Sequence, residues 1–139
     1  EFTGNGEYRA RAEKLLAGLR KAIESVPTGF GSTLAALDFH LRPPVEIAVI
    51  GDPASPEAEA LTAAVTRRFL PRRVLSGAPG AVGPDLARRI PLLEGKAPVG
   101  GRPTVFICRN DSCDAPIVDP SDLEMRLDDI ERSAGAARG

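Results

Sequence analysis

The sequence predicts an α/β fold in which an α-helical hairpin precedes a mixed four-stranded sheet. Three observations support this prediction. Before residue 43, apolar residues recur at three-and-four spacing, which is the period of an amphipathic helix. After that point, short runs rich in β-branched residues alternate with helix-like segments, as in a β-α-β unit. Pro27 and the pair Pro43-Pro44 separate these segments, because proline cannot continue a helix.

Composition excludes several classes of protein. The chain has 139 residues, 42% hydrophobic and 27% charged, which excludes disordered, collagen-like and disulfide-scaffold classes. A net charge of −1 attracts neither nucleic acid nor an anionic membrane, so neither partner is expected. No apolar run reaches the ~20 residues of a membrane span, and no secretory signal is recognisable. Two cysteines are compatible with a reducing cytosol, so a cytoplasmic location is expected.

The front of the chain is predicted to form two helices. The first covers 7–25, has charged residues opposite its apolar stripe, and ends before Pro27. The second covers about 31–41 and ends at Pro43-Pro44. Two helices with a short connection form an antiparallel hairpin, and such a hairpin cannot bury both of its faces alone. We therefore expect it to need a partner surface.

The remaining elements follow in the order β-α-β-(α)-β-β-α. Strands are predicted at 45–50, 73–76, 104–108 and 115–118, and helices begin at 56, 84 and 120. Ser55 and Asp119 are suitable N-caps for the first and last of these helices. Eleven Pro or Gly residues within 77–103 indicate a long irregular segment.

This order is that of a thioredoxin-like core, in which a parallel β-α-β unit precedes an antiparallel hairpin and a closing helix. Here the core is degenerate. Redox enzymes of this fold carry Cys-x-x-Cys at the start of the helix after the first strand, where the helix N-terminus lowers the thiol pKa. The segment 51–56 at that place contains no cysteine. The fold also places a cis proline before the third strand, so Pro103 is predicted to be cis. The predicted divisions are a hairpin at 1–43, a thioredoxin-like domain at 44–132 and a frayed tail at 133–139.

The two cysteines, Cys108 and Cys113, flank a predicted four-residue hairpin loop and would be cross-strand neighbours. Three interpretations remain open. The favoured one is a pair of reduced, packed thiols, because free cysteine is commonly buried. The second is a structural or reversible disulfide. The third is half of a metal site, but no second Cys or His pair exists to complete four ligands.

Other candidate clusters have structural explanations. The lone His40 lies near a helix C-terminus, and the arginines Arg67, Arg68, Arg72 and Arg73 do the same, where the helix dipole favours cations. The acidic residues of the last helix lack the glycine and ligand spacing of a calcium loop. Neither a metal nor a cofactor is therefore expected.

Three stretches resemble the C-terminal region of the spermatogenesis-associated protein 20 family, which is related to the bacterial YyaL proteins. They are Leu34–Phe39 running into Pro43–Asp52, then Pro91-Leu92-Leu93-Glu94-Gly95-Lys96, and then Pro103–Asn110 followed by Cys113–Ile117. The segment that contains both cysteines is the most specific of the three.

The resemblance implies a three-part chain with an N-terminal thioredoxin-like domain, an α/α toroid and then this region. The hairpin at 1–43 would be the last helical pair of the toroid. The family's redox cysteines would lie outside this chain, and the remainder of the full-length chain would be its partner. Met125 is the chain's sole methionine, so residue 1 is not a translation start, and the chain is expected to be a processed product or a fragment of a longer protein.

Three functions are compatible with these observations. The preferred one is a non-catalytic accessory or interaction domain of a larger thioredoxin-domain-containing protein, so the fragment is not expected to be an enzyme by itself. The second is a redox relay that uses Cys108 and Cys113. The third is a ligand-binding module built on the loop 90–101, with Glu94 and Lys96 as contacts. Arg109 and Asn110, which follow Cys108, are the other candidate residues of this binding module.

Overall fold

The chain folds as an α-helical hairpin followed by an α/β core, in a computed structural model that describes residues 2–110 and 112–136. The helices are α1 (Gly6–Ser25), α2 (Gly31–Leu41), α3 (Pro56–Thr66), α4 (Pro84–Arg89) and α5 (Pro120–Ala136), and the strands are β1 (Val45–Ile50), β2 (Arg73–Ala78), β3 (Thr104–Arg109) and β4 (Ser112–Cys113). Short 3₁₀ turns at Pro27–Phe30 and Pro91–Leu93 precede α2 and follow α4.

The four strands form a mixed sheet in the order β2-β1-β3-β4. Strands β1 and β2 are parallel, and α3 connects them. Strand β3 is antiparallel to β1, and β4 is antiparallel to β3. The predicted α/β class and element order are therefore confirmed, and the arrangement is consistent with a thioredoxin-like core.

Apolar residues line both faces of the sheet. One face packs against α3 and α5 around Ile47, Ile107 and Leu127. The other face packs against α4 and the following 3₁₀ turn, where Leu93 is fully buried beside Ala48. Residues alternate between these faces along each strand. This accounts for the nearly continuous apolar sequence of β1, which is covered on both sides.

Side chains cap the core helices, and the two N-caps are the residues that the sequence predicts, Ser55 and Asp119. The Ser55 hydroxyl accepts a hydrogen bond from the Ala58 amide at 3.2 Å, and the Asp119 carboxylate accepts one from the Ser121 amide at 2.8 Å. At the other end of α3, Arg73 donates to the Val65 carbonyl at 2.8 Å. These contacts satisfy backbone groups that have no partner within the helix.

The fourth strand is shorter and earlier than predicted. It consists of Ser112–Cys113, while the predicted strand at 115–118 contributes one isolated bridge, between Ile117 and Val105. Three residues separate Cys113 from Ile117, but two separate their partners Cys108 and Val105. The extra residue is a β-bulge next to Pro116, which has no amide hydrogen to donate to a ladder.

One further expectation is corrected. Pro103 is not cis, because the described residues contain no cis peptide bond. The trans form of an X-Pro bond is favoured by about 0.5–1 kcal/mol unless the surroundings select cis. The frayed tail at 133–139 stays a prediction, and α5 extends through Ala136. Residues 137–139 of that tail lie outside the described residues.

The α1–α2 hairpin is attached to the core by few contacts. Neither helix contains a buried residue. Asp38 of α2 accepts a hydrogen bond from Arg72 at 3.0 Å, just before β2. Because an amphipathic helix gains its stability mainly from burying its apolar face, this hairpin is incompletely packed in the chain as it stands.

Candidate functional site at the β3–β4 hairpin

The turn after β1 serves a structural role where redox enzymes of this fold carry their cysteines. Gly51 has a φ of +154° and lies directly against Pro103, so that an added Cβ would be 2.7 Å from the proline Cβ. Asp52 then accepts a hydrogen bond from the Ala54 amide at 3.0 Å, and Ser55 caps α3. The segment forms a tight turn packed on the loop before β3.

The two cysteines are joined at the β3–β4 hairpin. Cys108 of β3 and Cys113 of β4 are directly opposite in the register, and they form a disulfide with a sulfur–sulfur distance of 2.09 Å. The favoured interpretation, two reduced thiols, is therefore wrong for this structure, and the disulfide interpretation applies. Neither sulfur remains free for a metal. Their use in redox chemistry stays a prediction.

The two ends of the disulfide differ in their exposure to solvent. Cys108 is 3% exposed, whereas Cys113 is exposed on the edge strand. The difference follows from topology, since β3 has neighbours on both sides and β4 has a neighbour on one. A solvent molecule or another thiol therefore reaches the disulfide from the Cys113 side.

Charged and aromatic side chains occupy the same face of the sheet as Cys108. Glu46 of β1 is the direct cross-strand partner of Cys108, and opposed residues share a face. Phe106 lies two residues before Cys108 on β3, and the Lys96 Nζ is 5.7 Å from the centre of its ring. Burial lowers the pKa of Lys96, while the negative charges of Glu46 and Glu94 act to raise it. Lys96 thus connects the predicted loop with the neighbourhood of Cys108.

The structure brings together part of the candidate loop set and separates the rest. Glu94 and Lys96 follow the 3₁₀ turn that carries buried Leu93. Arg109 follows Cys108 directly, so it belongs to the opposite face of β3, and its Nε is buried with no hydrogen-bond partner in the described part of the chain. Asn110 occupies the tight turn with a φ of +49°, which asparagine tolerates better than most residues.

Glu46 and Phe106 are members of this neighbourhood that sequence reasoning missed. The sequence does contain a pattern that could have identified Glu46. Glu46 is the sole charged residue in the apolar run 45–50, and a charge inside a strand covered on both faces is unusual. For Phe106, the relevant information is the register of β1 and β3, which pairs Ala48 with Phe106 and which the sequence does not show.

The other clusters are structural, as their sequence context suggests. Arg68 at the end of α3 forms ion pairs with Asp128 and Glu131 of α5, at 2.5 and 3.6 Å. His40 has its Nε2 3.9 Å from a Glu13 carboxylate oxygen of α1. In the described ranges, no group of three His, Cys, Asp or Glu side chains could hold a metal ion. Arg68 therefore links the end of α3 to α5.

A second feature is the groove between α1 and α2, which has a volume of about 890 Å³. It is open to solvent and bordered by apolar side chains that the core does not cover. Tyr8, Leu15 and Leu19 of α1 are all exposed, the second to 68%. Exposed apolar surface of this kind on one element is typical of a surface that contacts another protein segment.

Known proteins similar to this chain align with it over 126 residues, which is 91% of its length. The chain resembles spermatogenesis-associated protein 20. It is 29% identical to the mouse protein, 30% to the rat protein and 27% to the human protein, and it spans 16% of the length of each. The resemblance predicted from the sequence is confirmed, and the match is consistent with a C-terminal region.

In these relatives, the matching segment is thus one part of a much longer protein. No family model matches the chain, and no solved structure matches it. None of the helices in the described residues is both long enough and apolar enough to cross a membrane.

Proposed function

We propose that this chain is a non-catalytic C-terminal accessory domain of a larger thioredoxin-domain-containing protein. Residues 44–132 form its α/β unit, and the hairpin at 1–43 completes an α/α toroid in the rest of the same polypeptide. The observation that carries the proposal is the hairpin itself, since α1 and α2 contain no buried residue. The relatives support it, because the matching segment is about a sixth of their length.

The physical argument rests on the apolar surface of α1. Leu15 and Tyr8 are 68% and 61% exposed, and burying one such side chain contributes about 1.5–3 kcal/mol. In the described part of the chain these side chains are not buried, so a surface elsewhere in the larger protein would provide that contribution. The groove between the helices adds room for side chains from such a surface.

The test compares one substitution in two proteins. Leu15→Asp should have little effect on the thermal stability of the 139-residue chain, because Leu15 is already exposed. In the full-length protein, the same change should lower stability and increase hydrogen exchange in α1. Met125→Asp is the matched control, since Met125 is 61% exposed on α5. Small effects of Leu15→Asp in both proteins would contradict the proposal.

A second function is supported by the disulfide, namely thiol–disulfide exchange at Cys108 and Cys113 within the larger protein. The supporting observation is the exposure of Cys113, the residue that carries one of the two sulfurs. The cytoplasmic location expected from the sequence would add weight, because disulfides of cytosolic proteins are mostly catalytic or redox-sensing. Replacing both cysteines with serine in the full-length protein should abolish its thiol-dependent activity. Unchanged activity would exclude this function.

The loop 90–101 is a third candidate for contact with a ligand or a neighbouring domain. Its support is the position of Lys96, whose charge lies against the Phe106 ring and near Glu46. Lys96→Met should weaken the contact between the loop and a neighbouring domain, measured as reduced binding of the separately prepared N-terminal part of the protein. Arg132→Met, on the exposed surface of α5, is the control. Equal binding by both variants would remove this candidate.

A further inference from the structure

We propose that the Cys108–Cys113 disulfide accepts electrons from a dithiol that attacks the Cys113 sulfur and expels Cys108 as the leaving thiolate. This proposal rests on the thiol–disulfide exchange function given above and assigns a role to each sulfur. It also specifies the chemical class of the reaction partner, which is a dithiol reductant. The observation that carries it is the unequal burial of the two cysteines.

Access determines which sulfur reacts. A thiolate must approach the sulfur that it attacks from the side opposite the leaving sulfur, and exchange rates depend on this access. Cys113 lies on the edge strand and is exposed, whereas Cys108 is 3% exposed between β1 and β4. Because Cys108 is 3% exposed, attack on its sulfur would first require the residues that bury it to move. Attack on Cys113 requires no movement of the sheet.

The reaction balances without any other reactant. The first thiolate of the dithiol forms a bond to the Cys113 sulfur, and the Cys108–Cys113 bond breaks with its electron pair on Cys108. The second thiolate of the donor then attacks the donor sulfur in the mixed disulfide, which releases the Cys113 thiolate. The donor is oxidised to a disulfide, and two protons from solvent or the donor thiols convert both cysteines to thiols. The reverse sequence returns the electron pair to a disulfide acceptor.

Backbone hydrogen bonds allow the hairpin to survive reduction. The Asp114 amide donates to the Ile107 carbonyl at 2.8 Å, and Val105 and Ile117 exchange two bonds at 2.8 and 2.9 Å. These bonds hold the segment after β4 against β3 independently of the disulfide. The mixed disulfide on Cys113 therefore forms on a folded domain, and Cys108 remains close enough to reverse the reaction.

The test traps the first intermediate on the folded chain. Excess glutathione is added to the oxidised protein, free thiols are then blocked with iodoacetamide, and peptides are mapped by mass spectrometry. The expected result is glutathione on Cys113 and carbamidomethyl on Cys108, with more than about a tenfold excess over the opposite pattern. In denaturant, where both sulfurs are accessible, the two patterns should be similar.

Two results would overturn the proposal in different ways. Glutathione found mainly on Cys108 would show that exchange occurs but that the assigned roles are wrong. No adduct on the folded chain, with a normal adduct in denaturant, would show a purely structural disulfide and would also remove the exchange function. Neither result affects the accessory role of the hairpin, which is tested separately by Leu15→Asp.

Discussion

The contact between Gly51 and Pro103 makes Gly51→Ala a sharp test of the fold. An alanine Cβ at this position would be 2.7 Å from the Pro103 Cβ and 2.8 Å from its Cα. Carbon atoms pack at about 3.5–4.0 Å, so the proline or the strand end must move. The obstacle is a rigid ring and its backbone, and neither can rotate away as a flexible side chain would.

Two costs add in this variant. Overpacking of a tight contact costs about 1–3 kcal/mol, and a non-glycine residue at the φ of +154° adds a backbone penalty of about 1 kcal/mol or more. We therefore expect Gly51→Ala to lower the free energy of unfolding by about 3 kcal/mol. That is a large fraction of the roughly 5–15 kcal/mol of a typical domain.

Urea unfolding followed by circular dichroism measures this change directly. Gly80→Ala is the matched control, because an added Cβ at Gly80 meets no atom within 4 Å, and its effect should stay within about 0.5 kcal/mol. A Gly51→Ala variant that unfolds at the wild-type urea concentration would refute the packing of the β1 turn on Pro103.

Three further predictions concern the same core. Ser55→Ala should lower the free energy of unfolding in urea by about 1 kcal/mol, because it removes the cap on the Ala58 amide. Ser112→Ala is the control and should be neutral, since Ser112 is exposed. Equal losses of stability in the two variants would argue against the cap. Leu93→Ala should cost about 2–5 kcal/mol, since Leu93 is fully buried. Leu92→Ala should cost less, because Leu92 is half-buried, and the reverse order would contradict the packing of Leu93 against the sheet. Burial lowers the pKa of Lys96 in the folded state, so the unfolded state binds more protons between that pKa and the ordinary value of 10.5. The stability of the wild type should therefore rise relative to that of Lys96→Met as pH increases through this interval. If the urea midpoints of the two proteins differ by the same amount at every pH from 7 to 10.5, the burial of the Lys96 ammonium group is contradicted.

Local sequence was sufficient for most of the elements. The apolar run 45–50 became β1, and Ser55 with Pro56 began α3 as expected. In each case the signal lies within a few residues, because capping and strand burial are local effects. The bounds of the fourth strand were not predicted correctly from local sequence. The strand pairs with β3 at Ser112–Cys113, and the bulge next to Pro116 interrupts the pairing before Ile117.

The candidate site was predictable in its members more than in its arrangement. Cys108, Cys113 and Lys96 were identified from the sequence, but Glu46 and Phe106 were not. Their proximity depends on the pairing of β1 with β3 across more than fifty residues of chain. A shift of one residue in that register would move Glu46 to the other face, and nothing local in the sequence specifies the register.

The sequence by itself determined the α/β class, the order of elements, the two helix caps and the absence of cysteine after β1. These features depend on residue type and short-range spacing. Only the tertiary structure decided that Cys108 and Cys113 are bonded, that Pro103 is trans and that Glu46 lies opposite Cys108. The two cysteines are only five residues apart, but their spacing is compatible with both thiols and a disulfide, and the cis and trans forms of an X-Pro bond differ by only about 0.5–1 kcal/mol. The pairing of Glu46 with Cys108 joins distant parts of the chain, where a shift of one residue in register changes which side chains meet.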